Sequence, residues 1–266
     1  MTNRLWRLRH PELFGTVLAS SILACSLGGT GGSTAGEALE AQQTQPGPPP
    51  TSPPTMVVDC DNVYLPVVED ATWRHAGSTP SGPYVELVTI WGVGPDSFKM
   101  ETSHVDVVWV DLWSCTAEGL VQLMSNGGQW SQVLAGPDGT VEIETLSQSG
   151  VTVPLSFKAG DSWSQEAVFS FTTDELSGTV RLVYEFHAVS PEDVTVPAGT
   201  FPAMRIDVGA RLEDVAGQFP TTYYEGSQWL SPEIGRVRQS GETHVGDAAP
   251  GTGFLTTTEL ESYEIP

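Results

Sequence analysis

From Val57 to the C-terminus, apolar and polar residues alternate with a period of two in short runs, broken every eight to twelve residues by Gly, Pro, Asp or Asn. That pattern predicts antiparallel strands joined by turns. Strands are expected at 84–91, 105–114, 140–146, 166–173, 179–189, 203–212, 221–230, 234–240 and 254–264. Gly136-Pro137-Asp138-Gly139 reads as a hairpin turn. Helix is expected only as a turn or two near Thr116 to Ser125.

Two of these runs are half-buried by pattern. Val180, Leu182, Tyr184, Phe186 and Ala188 share one face, opposite Arg181, Val183, Glu185 and His187. Met204, Ile206, Val208, Ala210 and Leu212 do the same against Arg205, Asp207, Gly209 and Arg211. The run 105–114 differs. Val105, Val107, Trp109 and Trp113 lie on one face and Val108, Val110 and Leu112 on the other, so both faces call for cover. The expected fold class is all-β and mainly antiparallel: a curled sheet or half-open barrel with little helix, with a β-sandwich as the alternative. With so little helix, an open groove lined by Trp109 and Trp113 would have to hold a hydrophobic ligand, such as an acyl chain or lipid, or be plugged, unless the sheet closes on itself or folds into a sandwich and side chains fill the space.

The N-terminal region follows other rules. Met1 to His10 carries three arginines, and Leu13 to Ala24 is a mostly apolar run that ends directly before Cys25. Residues 1–24 therefore read as a signal peptide, too short to span a bilayer. Ile22-Leu23-Ala24-Cys25 resembles the lipobox of bacterial lipoproteins, which implies acylation of the Cys25 sulfur. Cleavage by the ordinary signal peptidase, with Cys25 incidental, is the alternative. Residues 25–56 form a lipid-anchored tether, since 26–56 hold six glycines, six prolines and little that is apolar. Residues 57–266 make one β-rich domain, in which 57–150 and 151–266 are either two similar halves or alike only by chance. That division rests on an echo between Leu65 to Trp73 and Val153 to Trp163: each runs through Pro, apolar residues and Asp to a Thr or Ser directly before Trp. The expected location is the cell envelope, anchored to a membrane and facing the periplasm or the exterior.

Charge narrows the partners. Without residues 1–24, which hold Arg4, Arg7, Arg9 and Glu12, the chain has 8 basic and 32 acidic side chains, a formal balance of −24. Nucleic acid and bare anionic lipid are poor partners for such a surface. Membrane contact is expected through the lipid anchor instead. Cys60 and Cys115 are the remaining cysteines, and an exported compartment permits a bridge between them; two buried free thiols are the alternative.

Three further stretches carry a resemblance: Val194-Thr195-Val196-Pro197-Ala198-Gly199-Thr200-Phe201-Pro202-Ala203-Met204-Arg205-Ile206, Trp229-Leu230-Ser231-Pro232-Glu233-Ile234-Gly235-Arg236-Val237-Arg238 and the closing Glu259-Leu260-Glu261-Ser262-Tyr263. With Tyr64-Leu65-Pro66 and Trp73 they resemble a family of bacterial envelope proteins of unknown function, often lipoproteins. The resemblance implies a long antiparallel sheet curling into a half-open barrel, similar to periplasmic lipoprotein-carrier folds, and implies no catalytic residues. Glu69-Asp70 departs from the Gly-Asn or Gly-Asp preferred there. The motifs themselves read as turns at Pro197 to Thr200 and Pro232 to Gly235, with Trp229 buried beside the second.

Candidate chemistry is thin. His104 with Asp106, and Glu185 with His187, share strand faces at i, i+2, where a solvated polar face accounts for them better than metal ligation. Asp59-Cys60-Asp61-Asn62 echoes a calcium loop but lacks its Gly and distal Glu. Glu69 and Asp70 could serve as an acid and base pair, but nothing in their spacing requires it. Trp91, Trp109, Trp113 and Trp130 suit a β-core better than a sugar platform. The reading is therefore non-catalytic, with no cofactor and no metal: a binding or carrier module for a hydrophobic ligand, against a structural or interaction lipoprotein, and behind both a hydrolase.

Overall fold

The computed structural model describes residues 60–104, 107–135, 140–174, 176–217, 219–246 and 253–266. The expected signal peptide, Cys25 and the tether lie outside the described residues. Thirteen strands form one antiparallel sheet: β1 (Thr72–Thr79), β2 (Gly82–Trp91), β3 (Ser97–His104), β4 (Val107–Cys115), β5 (Gly119–Leu123), β6 (Glu142–Gly150), β7 (Val153–Pro154), β8 (Ser162–Thr172), β9 (Ser177–Val196), β10 (Gly199–Asp214), β11 (Thr222–Ser231), β12 (Gly235–Val245) and β13 (Phe254–Glu264). A short helix, α1, spans Gln129–Ala135.

The strand order is β6-β8-β9-β10-β11-β12-β13-β1-β2-β3-β4-β5-β7. The first and last strands pair in the middle, and β6 and β7 form the two edges. Only residues 151 and 152 separate those edges in the chain, so the sheet has to curl until they meet. Val151 donates its amide to the Ser164 carbonyl (3.3 Å) beside one edge, and Thr152 donates to the Leu120 carbonyl (2.9 Å) beside the other. The Thr152 hydroxyl accepts from the Gln122 amide (2.9 Å) and donates to Gln165 Oε1 (2.9 Å). The ladder is not closed. Thr152 with Gln122 and Gln165 bridges the seam, and the fold is the curled sheet of the first expectation rather than a sandwich.

Burial follows the expected alternation on β9 and β10. Val180, Leu182, Tyr184, Phe186 and Ala188 are buried with Met204, Ile206, Val208, Ala210 and Leu212 in one core cluster. A second cluster joins Trp73, Val88, Ile90, Phe98, Trp113 and Leu260 to Val194, Val196 and Ala203 from the long β9–β10 hairpin. Pro197-Ala198 forms that hairpin's two-residue turn, Gly199 pairing with Val196, and the Ala198 amide reaches the Leu260 carbonyl (3.0 Å). The Asp-to-Trp echo is a shared hydrogen-bonded clasp: Asp70 N to Ile90 O with Ile90 N to Ala71 O, and Gly160 N to Ala188 O with Ala188 N to Asp161 O.

Three expectations need correction. The segment Thr116 to Ser125 holds β5 instead of helix, and the helix comes later as α1. Gly119 (φ 149) sits so close to the Val153 carbonyl that a Cβ would lie 2.3 Å from it, which favours the strand pairing with β7. Gly136 to Gly139, expected as a hairpin turn, lies outside the described residues. β4 is covered on one face only: Trp109, Asp111 and Trp113 are buried, whereas Val108 is 52% exposed. Trp229 is half-buried, its indole Nε1 donating to Glu192.

The inner face of β4 is plugged by the chain itself. Val110 donates to the Gly127 carbonyl (3.0 Å), and Asp111 Oδ1 accepts from the Gln129 amide (3.1 Å) at the start of α1. Met124 and Trp130 enter the first cluster from this plug. A second plug is the segment after Cys60, which is disulfide-bonded to Cys115 at the end of β4, Cα to Cα 5.1 Å. Asn62 fixes its turn: Oδ1 accepts from the Tyr64 and Leu65 amides (2.9 and 3.2 Å) and Nδ2 donates to the Pro154 carbonyl (2.9 Å).

Candidate functional site

The interior of the curl is polar on one side. The register places His75, Glu86 and His104 directly opposite one another on β1, β2 and β3. All three side chains point inward, with exposures of 2%, 0% and 5%. Burying a carboxylate requires a partner. It comes from β12, 150 residues away, as the Arg236 guanidinium Nη2 on Glu86 Oε1. Arg236 Nη1 also donates to Gln239 Oε1 (2.8 Å), and Gln239 Nε2 donates to the Tyr224 hydroxyl (3.1 Å).

Burial and the neighbouring Arg236 lower the His75 pKa to about 4, so its ring is neutral near pH 7. Its Nε2 lies 3.0 Å from the Arg236 carbonyl, which only accepts, and therefore carries the proton. Nδ1 is left as a bare acceptor, 3.5 Å from Glu86 Oε1 and with no hydrogen-bond partner. Burial also lowers the His104 pKa. Tyr84, which packs against His104 with ring centroids 4.4 Å apart, is raised by burial and by Glu86, and Tyr224 is raised to about 12 by burial. The Glu86–Arg236 pair thus sits among neutral groups.

A partly enclosed cavity of about 120 Å³ lies against this cluster, where the two halves of the sheet face each other. Its walls include Tyr64, Trp73, Val88, Trp113, Phe186 and Leu230. The Trp113 indole N–H has no partner. At roughly 10–15 Å³ per water-sized occupant, the space takes on the order of ten non-hydrogen atoms. The cavity therefore presents a mostly apolar wall beside an internally neutralised ion pair, while His75 Nδ1 and Trp113 Nε1 are buried too deeply to face it.

The sequence-predicted residues scatter around this site. Trp113 lines the cavity; Trp109 is buried on the same face of β4 without lining it, and neither borders an open groove. Trp91 is on the outer face with Lys99 Nζ 4.2 Å above its ring, and Trp130 is on α1, so the tryptophans form no common platform. Glu69 accepts from the Gly92 and Val93 amides (3.0 and 2.8 Å), which lowers its pKa, while Asp70 holds a turn at φ 63. Asp106 lies outside the described residues. The family-like stretches meet as a buckle: Trp73 Nε1 donates to the Ile234 carbonyl (2.6 Å), and Glu233 N donates to Val63 O (2.7 Å).

Sequence reading missed one row on the outer face. Ser162, His187 and Asp207 are direct cross-strand neighbours on β8, β9 and β10, in a broad open groove of about 870 Å³. Ser162 Oγ is 2.9 Å from His187 Nδ1, but Asp207 is turned away, accepting from Arg205 Nε (3.0 Å) and Ser227 Oγ (2.6 Å). The row lacks the base-to-carboxylate bond that orients a catalytic histidine.

Neither a scan against family models nor a search of curated proteins finds a match. Two solved structures are similar. One is a candidate lipoprotein of Parabacteroides distasonis, 17% identical, covering 77% of this chain and 100% of that one with a TM-score of 0.48. The other is a candidate exported protein of Bacteroides fragilis with a YmcC-like fold, 14% identical over the same shares, with a TM-score of 0.48.

Proposed function

We propose that this chain is an exported, lipid-anchored protein of the bacterial envelope whose domain is a non-catalytic binding module with its ligand site inside the curled sheet. The order of basic residues, apolar run, Cys25 and Gly/Pro-rich tether supports the anchor. The observation that carries the binding role is the interior cavity, with polar groups converging on one side of mostly apolar walls. A mainly apolar ligand suits those walls, and it inserts one end rather than lying along an open groove, because α1 and the loop before it occupy the inner face of β4. A second reading, a surface that docks proteins, is favoured by Leu87 and Val108 (43% and 52% exposed), which flank Ser103 on the outer face of β2 to β4.

The anchor is tested by Cys25→Ala, which should move the protein from membranes to the soluble fraction and abolish fatty-acid labelling; retention in membranes without labelling would refute acylation. The module is tested by purifying the chain from its own host, extracting with solvent and analysing by mass spectrometry. A small molecule should accompany the wild type and be lost from Val88→Phe, whose larger side chain fills the cavity. Nothing bound to either protein would leave the docking surface as the better reading.

A further inference from the structure

Two glutamines stand side by side inside the curl, and the fold uses only one of them. Gln228 on β11 and Gln239 on β12 are direct cross-strand neighbours, and both line the cavity. Gln239 is buried with its amide engaged at both ends: Oε1 accepts from Arg236 Nη1 (2.8 Å) and Nε2 donates to the Tyr224 hydroxyl (3.1 Å). Gln228 is half-buried, and its amide makes no hydrogen bond among the described residues. We infer that Gln228 is the specificity residue of the cavity, and that it selects an uncharged carbonyl oxygen, of an ester or ketone on an apolar body, over a carboxylate or a plain hydrocarbon. This inference rests on the binding-module reading and deepens it.

Three observations carry it. The partner of Gln228 across β10 is Ile206, at 0% exposure, so an aliphatic side chain would suit position 228 and packing does not call for an amide there. Because the amide is only half-buried, water satisfies it while the cavity is free. An occupant that displaces this water has to offer an acceptor or leave the N–H groups unpaired, which costs affinity. The neighbourhood offers donors and has its acceptors in use: Glu86 and Gln239 Oε1 already accept from Arg236, a donor-only side chain that lines the same cavity at 17% exposure. A carbonyl oxygen is the group that such a wall answers. The charge of Arg236 is balanced by Glu86, and His75 is neutral, so a carboxylate would bring an unbalanced charge into the cavity. The volume of about 120 Å³ accepts a ring with a short substituent.

The test uses the full mature chain, purified from its host in mild detergent, with three probes of one shape: acetophenone, benzoate and isopropylbenzene. Binding is read by calorimetry against detergent blanks. Acetophenone is expected to bind roughly tenfold more tightly than either of the others, about one net hydrogen bond's worth. Gln228→Leu removes the amide and should erase most of that preference, leave isopropylbenzene binding unchanged, and keep or raise the melting midpoint, because the amide supports nothing in the fold. Gln228→Met, closer in length, should behave in the same way. Should benzoate or isopropylbenzene bind as well as acetophenone, or should both variants keep the preference, the inferred ligand class is wrong while the cavity remains a binding site. Unfolding of both variants would show Gln228 to be structural and overturn its assignment. Binding of none of the three probes overturns the binding module along with it.

Discussion

The two halves of the sheet bury different things. On β8 to β10 the inner face is apolar almost throughout, with Phe169, Leu182, Tyr184 and Ile206 at 0% exposure, while the outer face carries Arg181 between Glu166 and Glu213. On β1 to β3 the inner face mixes Trp73, Val88 and Ile90 with His75, Glu86, Thr102 and His104, and the outer face shows Val85 and Leu87 at 38% and 43% exposure. The first half holds the fold together by ordinary burial. In the second half, stability is given up to keep ionisable groups inside, and the cavity lies against those groups. Buried polar side chains are the informative ones, and here they mark where the sheet does more than fold.

The largest effect should come from splitting the buried pair. Glu86→Gln leaves Arg236 inside without its counter-charge and should lower unfolding free energy by about 3–5 kcal/mol. In the other half, Glu166→Gln breaks a pair that is about a third exposed (36% and 37%) and leaves Arg181 with Glu213, so the loss should stay within about 1 kcal/mol. Equal losses in urea titrations would abolish the contrast. The disulfide comes next. Replacing Cys60 and Cys115 with Ser opens a loop of sequence separation 55 and should remove about 4 kcal/mol by chain entropy. Amide exchange should quicken around β4 and the Cys60 plug before β9 and β10 respond, and two titratable thiols in the unreduced, unfolded wild type would remove the basis for the prediction.

Acid should also act mainly on the polar half. The His75 pKa is lowered from 6.5 to about 4, so between those values the unfolded chain binds a proton that the folded chain refuses. This contribution is full above pH 6.5, falls as pH drops through the window, and is lost below about pH 4, at a total of roughly 3 kcal/mol. The His104 pKa is lowered too and shifts stability in the same sense. Urea midpoints from pH 7.5 to 4 should fall less steeply for His75→Gln than for wild type; parallel profiles would mean that His75 is not the sensor. The smallest effect belongs to the outer apolar patch: Val108→Ser, at a side chain 52% exposed, should change stability by less than about 0.5 kcal/mol.

Much of this architecture was legible in the residues. The alternation in 180–188 and 203–212 gave the right faces because the charged positions there, Arg181, Glu185, Asp207 and Arg211, all fall on one side. The turns at Pro197-Ala198 and Pro232 to Gly235 were legible because the chain reverses there within two or three residues. β3 was missed because its inward set, Phe98, Met100, Thr102 and His104, is half polar and gives no hydrophobic stripe. The same ambiguity hid the site: Val85, Leu87, Thr89 and Trp91 make as good an apolar face for β2 as Tyr84, Glu86, Val88 and Ile90 do, yet the latter face inward.

By itself the sequence therefore determined the longer patterned strands, the turns at Pro197-Ala198 and Pro232 to Gly235 and the all-β class, because period-two patterning and turn chemistry act over a few residues; β1, β3, β5 and β7 were not among them. Only the tertiary structure decided which face of β2 is inside, that Thr152 with Gln122 and Gln165 bridges the seam, and that Arg236 meets Glu86. A strand offers two faces that differ in local energy by little. The choice between them is made by partners more than a hundred residues away, whose register and charge no local pattern records.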